Sequence, residues 1–379
     1  MTDEAAIENT APRLQTRDYE ALRGQLDDWL AQQLPAGADP RVSDLIVPES
    51  NGMSSDTVLF DLSYVEGGER VRKACVARLA PEESGTPVFP TYDFPKQFRV
   101  IQLVAERTEV PVPPALWLES ESHAVGCPFF VMEKVEGVVP PDVMPYTFGD
   151  NFLFDATPEE QRRLQDTTVQ ALAAVHEITT DNADLEFLEF DRSGDTALRR
   201  HIGSTWDYYE WVAARGVRQP LIERGFAFLE ETWPADEGAT VLSWGDARVG
   251  NVLYRDFRPV GVLDWEMAGT GPREIDLGWM MYLHRFFQDL TEQMEMPGLP
   301  GFMRSDDVCA TYEAAAGVTP RDPHFYMFYA ALRHGIVMSR IQHRLVAAGQ
   351  ATMPDDPDDM IMHRSTIEQM IDGSYWAKL

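Results

Sequence analysis

Apolar positions recur with a period of two through much of the first third of the chain and at helical spacing through most of the rest. After a polar, acidic start, Asp18 to Leu34 sets Leu22, Leu26, Trp29 and Leu30 on one helical face, with Leu34 at its edge. The period then shortens. Leu45-Ile46-Val47 predicts a strand, and Val58-Leu59-Phe60-Asp61-Leu62 alternates toward the turn Glu66-Gly67-Gly68-Glu69, with Ala74 to Leu79 as the returning strand. Phe94 to Glu106 predicts a helix that Val110-Pro111-Val112-Pro113-Pro114 stops. Ala115 to Leu118 and Phe129 to Met132 complete a small antiparallel sheet, and Glu133-Lys134-Val135-Glu136-Gly137 predicts a hinge.

Beyond the hinge the chain turns mainly helical. Pro158 to Ile178 places Leu164, Thr168, Ala171, Leu172, Val175 and His176 along one side. Further helices are expected at Ser204–Val212, Pro220–Trp233, Ile275–Leu290, Ser305–Ala315 and Phe325–Ala348. The fold class is therefore α+β with two lobes: residues 1–132 with the leading helix, the antiparallel sheet and the turn from Asn51 to Thr57, and residues 133–379, mainly helical. A proline-rich insertion, residues 138–146, follows the hinge and either shapes a substrate entrance or decorates the surface.

The strongest chemical signal is WGDARVGNVLYRDFRPVGVLDWE, Trp244 to Glu266. Asn251-Val252-Leu253-Tyr254 and Val260-Gly261-Val262-Leu263 read as strands around the turn-like Arg255 to Pro259. Folded as a hairpin, they set Asn251 opposite Leu263 or Asp264, where paired Cβ atoms lie roughly 4.5–5.5 Å apart. Two hard oxygen donors there can share one divalent cation, which makes Asn251 and Asp264 candidate magnesium ligands. Asp246, five residues before Asn251, is then free to face a substrate. An Asp and an Asn separated by four residues, then a metal-binding Asp, are the working order of kinase catalytic loops.

The small lobe holds weaker signals. The turn Asn51-Gly52-Met53-Ser54-Ser55-Asp56-Thr57 can offer backbone N–H groups and the hydroxyls of Ser54 and Ser55 to phosphate oxygens, or is an ordinary hairpin turn. Arg78 lies on the strand where a phosphate-pairing cation would be needed, and Gln97 faces the same region. Asp276 either caps the next helix or hydrogen-bonds back to the loop around Asp246, and Glu266 is a further acidic candidate.

Composition narrows the classes. With 379 residues and 44% hydrophobic content the chain can bury two lobes. No apolar run approaches the roughly 20 residues of a membrane span, and the start MTDEAAIENT is not signal-like, so a cytoplasmic protein with no membrane partner is expected. Cys75, Cys127 and Cys309 form no CxxC pair and suggest neither a disulfide framework nor a zinc site. His334 and His343 read as structural. A formal charge of −30 argues against nucleic acid, which needs clustered cations. It permits steering of a cationic acceptor past Asp142, Asp150, Asp155 and Glu266, although dispersed acidity also serves solubility alone.

These residues resemble the aminoglycoside phosphotransferase and choline kinase family, a branch of the protein-kinase-like fold. The resemblance is densest over Trp244 to Leu277, includes LAAVHEI (Leu172 to Ile178), and extends through VARLAP, QFRVIQLV and FFVMEKVEGV. It implies Asp246 as catalytic base, magnesium on Asn251 and Asp264, and backbone recognition of the nucleotide base near Met132, Glu133 and Val135. It also implies ATP or GTP as phosphoryl donor and a small hydroxyl-bearing acceptor, an aminoglycoside or amino alcohol. Three positions depart from the family pattern: Trp244 stands for its usual His, Arg78 for the nucleotide-binding Lys, and Gln97 for that lysine's Glu partner. The weakened Arg78/Gln97 pair keeps a second reading open, a catalytically weak or inactive nucleotide-binding regulatory protein on the same fold.

Overall fold

The computed structural model describes residues 17–48, 55–81 and 87–378. Helix α1 spans Tyr19–Gln33, and Asp18 caps it by accepting the N–H groups of Glu20 and Ala21. Strands β1 (Arg41–Val42), β2 (Asp56–Glu66) and β3 (Glu69–Leu79) follow, then α2 (Phe94–Arg107), β4 (Ala115–Glu119) and β5 (Phe129–Glu133). They form a five-stranded antiparallel sheet in the order β1-β2-β3-β5-β4.

The period of two sorts the side chains between the sheet's faces. Val58, Phe60, Leu62, Cys75, Ala77, Phe129 and Val131 pack with α1, through Leu22, Leu26, Trp29 and Leu30. Val76, Phe130 and Met132 turn the other way, into the core shared with α2 and the helical part of the chain. Arg78, two residues from Val76, therefore sits on the face that looks toward that part. Lys73 and Glu133 share the opposite parity and pair with each other.

The remaining elements are α3 (Pro158–Val175), α4 (Ala197–Ala213), α5 (Pro220–Glu231), β6 (Thr240–Ser243), β7 (Val252–Arg255), β8 (Arg258–Val262), β9 (Gly269–Pro272), α6 (Glu274–Gln293), α7 (Ser305–Ala316), α8 (Pro323–Ala347) and α9 (Arg364–Asp372). Helix α3 opens with a capping box between Thr157 and Glu160. Strand β6 pairs with β9, and β7 with β8, so two short ribbons frame the segment from Trp244 to Pro272.

Several expectations change. Leu45-Ile46-Val47 is not a strand, since only Ile46 bridges to Leu59. Helix α4 begins seven residues before Ser204, at Ala197, because Thr196 accepts the Arg199 N–H as its N-cap. The hairpin turn is tighter than Arg255 to Pro259: only Asp256 and Phe257 turn, at φ 51° and 58°. That is the twist two-residue hairpins favour. Phe257 accepts the unusual conformation while its ring packs 6.0 Å from Phe152. Most of the turn from Asn51 to Thr57, including Ser54, lies outside the described residues.

The histidines make the fold sensitive to acid. Burial pushes His201 and His284 down to about 3 and His363 to about 4. Each stays neutral in the folded protein and takes up a proton once unfolded, near pH 6.5. The stability this contributes is complete above about pH 6.5 and is lost as pH falls toward the depressed values. The melting temperature is therefore expected to be level near pH 7–8 and to fall steadily between about pH 6.5 and 4. A melting temperature that rises from pH 7 to 5 would contradict this burial.

Candidate active site

The loop between β6 and β7 is fixed first by its backbone. Asp276, in the first turn of α6 and fully buried, accepts the Ser243 hydroxyl at 2.9 Å, the Trp244 N–H at 2.7 Å and the Gly245 N–H at 2.8 Å. Its fourth partner is His176 Nε2 at 3.0 Å, and His176 Nδ1 meets the Tyr312 hydroxyl at 2.8 Å. Burial alone would push this carboxyl up, yet the bonds from His176, Gly245 and Trp244 outweigh it and hold it below the ordinary range. Of the two roles open for Asp276, the structure shows the bond back to the loop; Arg273 occupies the N-cap position of α6. Gly245, at φ 88°, is required here, since a Cβ would lie 2.0 Å from the Met267 carbonyl oxygen.

Trp244 turns its indole into the core and donates to the Leu263 carbonyl at 2.8 Å. It thereby ties the loop to the residue before Asp264 and packs 5.7 Å from Trp265.

Asp246 follows at the start of the site. Its Oδ1 accepts the Trp279 indole N–H at 2.7 Å, and Arg248 Nε lies 3.1 and 3.0 Å from its two oxygens. Asn251 Nδ2 donates to Asp246 Oδ2 at 2.6 Å and to its carbonyl at 3.0 Å. The hairpin places Asn251 as expected: the Leu263 N–H donates to the Asn251 carbonyl at 2.9 Å, one residue before Asp264. Asp264 adopts φ 60°, a conformation Asp tolerates better than most residues.

The donors available suit a hard cation. Asp264 Oδ1 is buried and accepts no hydrogen bond. The Asn251 amide nitrogen is committed to Asp246, which leaves its carbonyl oxygen as the second donor. Among the described residues no group of three or more His, Cys, Asp or Glu gathers as a metal site. Two oxygens completed by phosphate and water is the coordination that magnesium commonly accepts.

Arg78 crosses from β3 to this end of the site. Its Nη2 donates to Ser55 Oγ at 2.6 Å and stands 3.5 Å from Asp264 Oδ1. Among the described residues no hydrogen bond joins it to Gln97, which is buried within the helix α2 core. Lys73 is not an alternative cation, because it lies on the other sheet face with Glu133. The side chain of Glu133 thus points away from the site, and its N–H donates to the Pro114 carbonyl at 2.9 Å. Met132 faces the site side, opposite Val76, and Val135 abuts the hairpin, 3.5 Å from where a Gly261 Cβ would stand.

Some members escaped the sequence reading. Trp279 lies three residues past Asp276, one turn along the same face of α6, and that spacing is a signal available in hindsight. Arg333, on α8, donates to the Gly245 carbonyl at 3.1 Å and lies 4.9 Å over the Trp279 ring. Lys96 Nζ reaches the Ala268 carbonyl at 3.1 Å, and burial pushes its ammonium below the ordinary lysine range. Asp142, one of the acidic residues expected to flank the cleft, pairs with Arg248.

Comparison with known proteins gives the family and the fold. The model of the phosphotransferase enzyme family APH matches residues 50–302. Among solved structures, a Ralstonia eutropha JMP134 protein described as a candidate aminoglycoside phosphotransferase superposes with TM-score 0.62 at 21% identity, covering 92% of this chain and 96% of the other. Macrolide 2′-phosphotransferase MphH from Brachybacterium faecium gives TM-score 0.51 at 18% identity, covering 89% and 99%. A thermostable mutant of aminoglycoside phosphotransferase APH(4)-Ia, in ternary complex with AMP-PNP and hygromycin B, gives 0.52 at 16%, covering 92% and 98%. Curated relatives are larger. Acyl-CoA dehydrogenase family member 11 of Rattus norvegicus is 24% identical over 316 residues, 80% of this chain but 37% of the relative. The Arabidopsis thaliana protein named probable acyl-CoA dehydrogenase IBR3 is 26% identical over 294 residues, 74% and 34% respectively. The chain thus spans about a third of the length of these relatives.

Proposed function

Because this chain belongs to the phosphotransferase enzyme family, we propose that it transfers the γ-phosphoryl group of ATP or GTP to a hydroxyl of a small molecule. The observation that carries this reading is the juxtaposition of Asp246 and Asn251, 2.6 Å apart, at the end of the hairpin that delivers Asp264. Asp246 orients the acceptor hydroxyl and takes its proton. Asn251 and Asp264 would hold magnesium, which when bound offsets charge on the phosphate oxygens. Arg78, Ser55 and the turn holding Ser54 bind the phosphates, and the backbone from Met132 to Val135, including Glu133, receives the base. Residues 1–132 then act as the nucleotide lobe and residues 133–379 as the acceptor lobe. Free Cys75, Cys127 and Cys309 suit a reducing cytoplasmic compartment.

Two acceptor classes have support. A cationic or neutral acceptor such as an aminoglycoside fits the formal charge of −30. A hydroxylated acyl thioester fits the acyl-CoA dehydrogenase names of the curated relatives, of whose length this chain spans about a third. A mass-spectrometric phosphorylation screen of aminoglycosides, amino alcohols, sugars, nucleosides and hydroxyacyl thioesters tests both. For a cationic acceptor kcat/KM should fall as salt rises, whereas for an anionic thioester it should hold or rise. Absence of any metal-dependent phosphorylation, including slow ATP hydrolysis, would defeat the reading.

Arg78→Ala is expected to raise the nucleotide KM far more than the acceptor KM. Arg78→Lys should recover only part of the loss, because an ammonium cannot span Ser55 Oγ and a phosphate with a planar fork. Unchanged nucleotide kinetics in Arg78→Ala would assign the phosphate cation elsewhere, with Lys96, bonded to the Ala268 carbonyl, the next candidate.

A further inference from the structure

Arg248 occupies a place that a simple loop staple does not explain. Its Nε straddles both oxygens of Asp246 at 3.0 and 3.1 Å, and its Nη1 pairs with Asp142 from the proline-rich segment after the hinge. The guanidinium side chain is only 24% exposed and that of Asp246 14%. One carboxylate would suffice to neutralise it, yet the chain brings a second from a distant segment. Gly250 makes that approach possible: a Cβ there would lie 2.4 Å from Asp142 Oδ1 and 2.6 Å from Arg248 Nη1.

The cations and carboxylates are distributed along the site in a telling order. Arg78 stands beside Asp264, at the end where the nucleotide phosphates would lie, and Arg248 stands beside Asp246, at the end where the acceptor hydroxyl would lie. In the transfer, the bond from the γ-phosphorus to the nucleotide's bridging oxygen breaks and its electron pair leaves with the diphosphate. A bond forms from the acceptor oxygen to phosphorus, and the hydroxyl proton passes to Asp246. The moving group carries negative charge on three equatorial oxygens, and reacting atoms in such a geometry approach to roughly 3–3.5 Å. A hydroxyl bonded to Asp246 therefore brings those oxygens within reach of the group already bonded to Asp246.

We propose that Arg248 is a catalytic residue that donates to the phosphoryl group as it arrives at the acceptor, and that Asp142 holds its guanidinium at that position. The inference rests on the kinase reading above. Asp142 is the positioning residue: by taking Nη1 it keeps the fork from folding wholly onto Asp246. A planar guanidinium fixed in advance and shielded from water is suited to charge that develops only during transfer.

The test uses magnesium ADP with aluminium fluoride, a mimic of the transferring phosphoryl group, in the full chain. Titration calorimetry compares the affinity for magnesium ADP with and without the fluoride in wild type, in Arg248→Lys, and in the paired change Arg248→Met with Asp142→Asn, which leaves no unpaired charge at Asp142. Wild type should bind about 100-fold more tightly with the fluoride, the scale of one donor aimed at developing charge. The paired variant should keep its magnesium ADP affinity within about threefold and lose most of that gain, with Arg248→Lys between them. Slow ATP hydrolysis should show the same split, a fall in kcat of about 100-fold with nucleotide KM little changed. If wild type shows no tightening, the kinase reading itself fails. If wild type tightens and both variants tighten as much, the kinase reading stands and Arg248 is only a staple for the loop.

Discussion

Asp246→Asn is expected to lower turnover by about 10²-fold to 10⁴-fold, the range for loss of a positioned general base. The structure shows why the effect should be confined to chemistry. The loop backbone is held by Asp276, not by Asp246, through Ser243, Trp244 and Gly245. Trp244 adds a second anchor at Leu263. An amide at position 246 keeps one oxygen for Trp279 or Asn251 but turns a donor toward other donors, and it leaves Arg248 with Asp142 alone. The expected result is a folded protein with nucleotide affinity near wild type and strongly reduced kcat. Normal steady-state phosphorylation by the purified variant would remove Asp246 from the mechanism.

How much of this was legible in the sequence depends on what kind of contact sets each feature. The long helices and the β7–β8 hairpin were legible because their burial is periodic and local. The β6–β9 ribbon was not. Gly269-Thr270-Gly271-Pro272 carries almost no strand propensity, and pairs with Thr240 to Ser243 only because α6 and the loop around Asp246 bring the segments together. The same distinction runs through the site. Asp246, Asn251 and Asp264 lie within 19 consecutive residues and could be joined by a hairpin argument. Arg78 could be put on the correct sheet face by alternation, but which residue it meets is decided by how β3 docks across the site. It meets Ser55 and Asp264, where the family pattern pointed to Gln97. Arg248 was inside the motif and went unread because its partner, Asp142, is 106 positions away in a segment without periodicity.

Changes at the hairpin should separate metal binding from catalysis. Asp264→Asn is the preferred substitution there, because Asn tolerates the φ of 60° while alanine would add backbone strain. It removes the full negative charge that a hard cation favours, so magnesium-dependent nucleotide binding is expected to weaken by an order of magnitude or more. Arg78 loses its ionic partner in the same change, and nucleotide binding without magnesium should be much less affected. Asn251→Ala should behave differently. As a ligand Asn251 would supply only a neutral oxygen to the cation, so its effect on binding should be smaller, but its amide also holds Asp246 Oδ2 at 2.6 Å. Turnover should therefore fall further than the loss of binding explains. Calorimetric titrations of ATP with and without magnesium, set beside kcat for each variant, read out the two effects. Equal magnesium-dependent affinities for wild type and Asp264→Asn would show that the cation is held elsewhere. A drop in Asn251→Ala turnover no larger than its drop in binding would show that the bond to Asp246 does not matter for transfer.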